Sequence, residues 1–157
     1  MTKYAEGTEV SIDQSLLEIR TTLKRYGATK ILFFDDAQSL VVNFEMRSRL
    51  IRFNIKLPPV NDFAKTPERR IQRSAAQMQQ AWEQACRQCY RALLLVIKAK
   101  LESIESEIET FDQAFMAHVV LPSGETTSSW LGPQIEQAYK LGQMPPMLAL
   151  PSTTRKD

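Results

Sequence analysis

Two short segments of alternating character, separated by almost nothing, constrain this chain more than any other feature. Leu40, Val42, Phe44 and Met46 interleave with Val41, Asn43 and Glu45, and Ile51, Phe53, Ile55 and Leu57 interleave with Leu50, Arg52, Asn54 and Lys56. A period of two sends one set of side chains to a core and the other to water, the pattern of a strand buried on one face. The link around Arg47-Ser48 is too short for anything but a hairpin, so the two strands are expected to be antiparallel. Pro58-Pro59 ends the segment, because neither residue can donate a ladder hydrogen bond.

The flanking sequence supplies the rest of a layered fold. Ser11, with Gln14 in capping-box spacing, opens a helix that carries Ile12, Leu16, Ile19, Leu23 and Tyr26 and stops at Gly27. Lys30 to Phe34 reads as a further strand, closed by Asp35-Asp36. After a loop at residues 61–65 come two candidate helix starts, Thr66-Pro67-Glu68 and Ser74 with Gln77. The second would leave Arg69, Arg70 and Arg73 on a flexible basic arm. Beyond them a stripe from Met78 through Trp82, Cys86, Cys89, Leu93, Ile97, Leu101 and Ile104 to Ile108 predicts one long helix.

Thr110 with Gln113 starts a short helix, Val119-Val120-Leu121 predicts a fourth strand, and Pro122-Ser123-Gly124 predicts a turn. The last helix carries Trp130, Leu131, Ile135 and Tyr139, is expected to be irregular near Gly132-Pro133, and stops at Gly142. The order α-β-β-β-α-α-β-α predicts a single α+β domain over residues 1–142, with a small, mainly antiparallel sheet packed against the long helix. Residues 143–157 are expected to form an extended or disordered tail, whose Met144-Pro145-Pro146-Met147 also has the look of a short docking peptide.

Size and composition fit that reading: 157 residues suffice for one core, and 43% apolar with 24% charged residues is an ordinary globular balance. The longest apolar run near a helix centre, Ala92 to Ile97, is far short of a membrane span. The N-terminus lacks the apolar core of a signal peptide, so a cytoplasmic location is expected.

The net charge of +2 conceals three blocks. Residues 1–46 hold 5 Lys/Arg against 7 Asp/Glu, residues 47–100 hold 12 against 3, and residues 101–157 hold 3 against 8. The basic block starts on the hairpin and runs into the long helix. Arg47 and Arg49 flank the turn, Arg52 and Lys56 point away from the predicted core, and Lys65, Arg69, Arg70 and Arg73 stand at the following helix start. Together they are expected to present phosphate-binding cations on one surface, a nucleic-acid contact without base stacking. The competing readings are solvated charges, pairing with the acidic stretch Glu102, Glu105, Glu107, Glu109 and Asp112, or an acidic protein partner.

Other motifs are weaker. Cys86-Arg87-Gln88-Cys89 has redox and zinc spacing, but both cysteines fall on the apolar stripe and are expected to pack in the core. His118, the only histidine, stands beside an apolar run without a nucleophile motif and reads as structural. The α-β-β-β-α-β order is shared with metal-dependent PD-(D/E)xK nucleases. In that reading Asp35, Asp36 and Glu45, with Glu18, would hold Mg²⁺, although Asn54-Ile55-Lys56 lacks the second acid. Double-stranded-RNA-binding domains and single-strand annealing proteins share related orders, an analogy at fold level only. No cofactor or metal is expected.

Across most of residues 4–145 the chain resembles a family of small uncharacterised proteins encoded by bacteriophages and prophages. The resembling stretches are Ser15-Leu-Leu-Glu-Ile, Arg25-Tyr-Gly-Ala, Asn43-Phe-Glu-Met-Arg-Ser-Arg-Leu-Ile-Arg-Phe, Trp82-Glu-Gln-Ala through Leu95-Val-Ile-Lys-Ala-Lys-Leu, and Ala117-His-Val-Val-Leu-Pro-Ser-Gly. The resemblance implies a phage gene product in a bacterial cytoplasm and transfers no functional residues. The expected function is an accessory protein that binds DNA or RNA without catalysis. The alternatives are a module that binds a host protein and a metal-dependent nuclease. Association into a homo-oligomer is open.

Overall fold

The computed structural model describes residue 5 and residues 7–143. All but the first residue of the expected tail, including Met144-Pro145-Pro146-Met147, lies outside the described residues. Helix α1 spans Ile12–Arg25, with the Ser11 hydroxyl accepting from the Gln14 amide at 3.1 Å. Strands β1 (Thr29–Asp35), β2 (Ser39–Met46) and β3 (Arg49–Lys56) form an antiparallel sheet in the order β1-β2-β3. The hairpin register pairs Met46 with Arg49 and Ser39 with Lys56. Its two-residue turn places Arg47 and Ser48 at φ 48° and 60°. That left-handed pair matches the twist of the strands but costs energy in residues that are not glycine or asparagine.

Helices α2 (Ala75–Glu105) and α3 (Phe111–Phe115) join α1 on one face of the sheet. The alternation sets which face this is. Leu40, Val42 and Phe44 on β2 and Ile51 and Phe53 on β3 are buried against Ile19, Leu23, Leu94, Ile97 and Phe115 from the helices. Phe44 and Phe53 stack at 6.4 Å between centroids, and Phe115 meets both rings edge-on at 6.0 and 6.3 Å. The opposite face stays open, with Leu32, Phe34 and Leu50 exposed beside Val41, Asn43 and Arg52.

Four details depart from expectation. The long helix ends at Glu105 instead of running to Ile108, because the chain turns left-handed at Glu107 (φ 56°) and leaves Ile108 exposed. Both candidate helix starts are used, with unequal results. Thr66-Pro67-Glu68 nucleates one turn, in which the Arg70 amide bonds the Thr66 carbonyl at 3.1 Å, and Arg70 then turns left-handed at φ 52°. Helix α2 begins only at the reciprocal capping box of Ser74 and Gln77. The arm between them is an ordered loop rather than a flexible one. The fourth extended segment contributes isolated bridges, Val119 to Ile51 and Val120 to Thr126, so the sheet keeps three strands. The reason is the turn at Gly124 (φ 88°), which folds the segment back on itself: the Leu121 amide bonds the Glu125 carbonyl and the Thr127 amide bonds Val119, both at 2.8 Å. Finally, α4 (Thr127–Leu141) runs on through Gly132-Pro133, although the proline has no N–H to give to the helix.

Candidate nucleic-acid interface

Strand geometry decides where the basic residues go. Strand β3 carries the chain away from the 47–48 turn for eight residues, roughly 26 Å at strand rise. Residues 57–73 therefore gather at the far end of the sheet. Helix α2 links the two ends: Ile104 and Arg47 line one cavity, while Gln77 and Arg73 line another. At helical rise these stand about 40 Å apart. The hairpin turn and the helix start do not share a contact surface, because the strand between them is too long.

At the turn end the cations have neighbours. The Arg47 guanidinium lies over the Phe111 ring, 5.5 Å from its centroid. Arg49 approaches Asp112 at 4.0 Å. The acidic stretch from Glu102 to Asp112 lies at this end, so pairing with it is realised here for Arg49. Midway along the open face, Arg52 is committed to structure: its Nε donates to Asn43 Oδ1 at 3.0 Å and its Nη1 donates to the Gly124 carbonyl at 2.8 Å.

The far end is different. Lys56, Lys65, Arg69 and Arg70 are exposed there, with no ion pair among the described residues. Arg73 ties the loop together, its Nη1 donating to the carbonyls of Phe63 at 3.2 Å and Lys65 at 3.1 Å, while its amide bonds the Ala64 carbonyl at 2.8 Å. The Thr66 hydroxyl accepts from the Ile71 amide at 3.0 Å, and Trp82 Nε1 donates to Pro58 at 2.8 Å, docking the segment on α2. Between the loop and α2 runs a cleft of about 460 Å³ whose lining includes Arg73, Arg87, Gln77, Gln80 and Gln84 and, among the described residues, no carboxylate.

Arg87 and the glutamine row escaped the sequence reading, which followed only the apolar stripe. Gln77, Gln80 and Gln84, at i, i+3 and i+7 on the face beside that stripe, were the signal available. Helix α2 also has no acid in its first turn and no base in its last, the reverse of what its dipole favours. Its start is thereby left as positive as the backbone makes it.

The carboxylates proposed for a metal are drawn apart. Asp36 accepts from the Gln38 and Ser39 amides, both at 2.7 Å, and those bonds hold its pKa below the ordinary value. Glu45 pairs with Lys30, and Glu18 with Arg91 at 2.9 Å and Lys98 at 3.6 Å. Asp35 lies beside Tyr90, whose hydroxyl is pushed up to about 12 by burial first and Asp35 second. Among the described residues, no three His, Cys, Asp or Glu side chains converge to hold a metal ion.

Cys86 is buried in the core, where desolvation, with Cys89 adding to it, raises its thiol to about 11, the opposite of a reactive thiolate. The His118 ring stacks on Phe53 at 4.0 Å, and burial, with Lys100 nearby, keeps it neutral more readily than a free histidine. No described helix is long and apolar enough to cross a membrane. Compared with known protein families, curated proteins and solved structures, the chain matches none.

Proposed function

We propose that this chain binds nucleic acid without catalysing a reaction, and that the 65–73 loop with the cleft behind it makes the contact. The observation that carries the reading is the collection of Lys65, Arg69, Arg70, Arg73 and Arg87 at one end of α2, around a cleft that no carboxylate among the described residues lines. Cations on a braced loop contact successive phosphates, and the Gln77 and Gln80 amides donate to phosphate and sugar oxygens, while Gln84 gives its amide to the Thr8 carbonyl and holds Arg87. Lys56 extends the same end. Arg47 and Arg49 fall outside the contact, and Arg52 and Arg73 act through the shape they hold rather than as free cations. In the phage setting that the resemblance implies, the target is phage or host DNA or RNA.

The test is a fluorescence anisotropy titration with end-blocked single- and double-stranded DNA and RNA, from about 50 to 200 mM salt. About four phosphate contacts give a log–log salt slope near −4 on duplex DNA. Replacing Lys65, Arg69 and Arg70 together by Ala is expected to abolish binding, while Arg47→Ala with Arg49→Ala leaves it within about threefold, the scale of a remote charge at this salt. Absence of binding to every form at low salt refutes the reading.

A second reading, a protein-binding module, is favoured by the open face of the sheet, where Leu32 and Phe34 are more than half exposed (53% and 58%). It predicts a protein complex that survives high salt.

A further inference from the structure

We propose that the cavity beneath the β2–β3 turn, remote from the 65–73 loop, is a binding site for a phosphate monoester. It has a volume of about 540 Å³, in the range of small-molecule sites, and lies between the end of α1, the turn and the last turns of α2. Arg25 and Arg47 both line it. Arg25 lies over the Tyr26 ring at 5.2 Å and Arg47 over the Phe111 ring at 5.5 Å. Neither forms an ion pair among the described residues. A ring beneath a guanidinium holds its plane and leaves the N–H edges free. Two such edges on one cavity suit a tetrahedral dianion gripped from two sides.

The backbone places the residue. The two-residue turn imposes a left-handed φ on Arg47 (48°) and Ser48 (60°) alike, and of the two it is Arg47 that lines the cavity.

The lining also selects among phosphates. Met46 and Leu101 give an apolar floor for the body of a ligand, and Glu105 is the one carboxylate in the lining. Glu105 repels a bare phosphate and accepts a hydrogen bond from a hydroxyl or amino group. The site therefore fits a phosphate ester whose body carries donors. A free mononucleotide and the 5′-phosphorylated end of a strand present the same chemistry.

The experiment follows amide resonances of the full chain by NMR during titration with adenosine monophosphate, with adenosine as the control. A 5′-phosphorylated and a 5′-hydroxyl oligonucleotide distinguish the two sources. Shifts at Gly27, Arg47, Ser48 and Glu105 that require the phosphate are expected. Arg25→Gln and Arg47→Gln should each weaken binding roughly tenfold, as loss of a charge-assisted pair does. Glu105→Gln should tighten the binding of inorganic phosphate. A response confined to the phosphorylated strand end supports the site and names the strand as its source. Equal shifts with adenosine, or unchanged affinity in both arginine variants, overturn the proposal. The Lys65, Arg69, Arg70→Ala protein separates it from the loop reading, since it should keep the full adenosine monophosphate response.

Discussion

At one end of α2 Arg47 rests on an aromatic ring and Arg49 faces a carboxylate; at the other Lys65, Arg69 and Arg70 stand on a braced loop with no ion pair among the described residues. Arg47 and Arg49 are as exposed as Arg69 and Arg70. What differs is the company: Phe111 and Asp112 at the turn, Gln77, Gln80 and Gln84 beside the loop. A basic residue offers an exposed cation to a polyanion only where the fold gives it no nearer acid. Counting lysines and arginines along a sequence therefore overstates the usable charge.

The comparison breaks most sharply at Arg73. Its two bonds to the Phe63 and Lys65 carbonyls are charge-assisted, and Arg73→Ala is expected to cost about 1.5–3 kcal/mol in chemical denaturation. It should also lower polyanion affinity by more than removal of one phosphate contact would. Arg73→Lys, whose single ammonium can donate to both carbonyls as the one Nη1 does, should restore it in part. Equal stability of Arg73→Ala and the wild type would mean that the loop is held by something else.

A smaller effect sharpens the contrast at two of the left-handed positions, Ser48 and Arg70. Ser48→Gly relieves φ 60° at the turn and is expected to add up to about 1 kcal/mol without changing oligonucleotide affinity. Arg70→Gly relieves φ 52° in the loop by a similar amount, but removes a cation and should weaken binding. Thermal melts and anisotropy on the same two proteins decide it. If Arg70→Gly binds as well as the wild type, the loop tip is not the contact.

The smallest effect belongs to the core that both ends share. The pKa of His118 is lowered in the fold by burial and by Lys100. The unfolded chain thus takes up the proton first, and stability should hold above about pH 6.5 and fall as the pH drops from there towards the lower folded pKa. His118→Gln should flatten the melting temperature between pH 6.5 and 5 relative to the wild type. An unchanged slope would place the acid sensitivity elsewhere.

Much of the fold was legible because its signals are local. Alternation at Leu40 to Leu57 set both the strands and the face they bury. The Ser11–Gln14, Ser74–Gln77 and Thr110–Gln113 spacings marked helix starts that the structure uses. What was not legible depended on competition or distance. Thr66-Pro67-Glu68 has every residue a helix start needs, and it fails after one turn because Arg70 turns left-handed and the Arg73 side chain closes the loop. Val119 to Leu121 has strand composition, yet the Gly124 turn returns the chain before a ladder can grow. The candidate site shows the same limit. Eight basic residues were named from the sequence and Arg87 was missed, and the length of β3 separates Arg47 and Arg49 from Lys56 and the 65–73 loop.

Bases gather before the start of helix α2 and acids at its finish, where Arg25 and Arg47 stand among them. If the loop makes the contact proposed above, that distribution favours approach loop first. Each seated copy would then turn outward the end that carries Glu102, Glu105, Glu107 and Glu109.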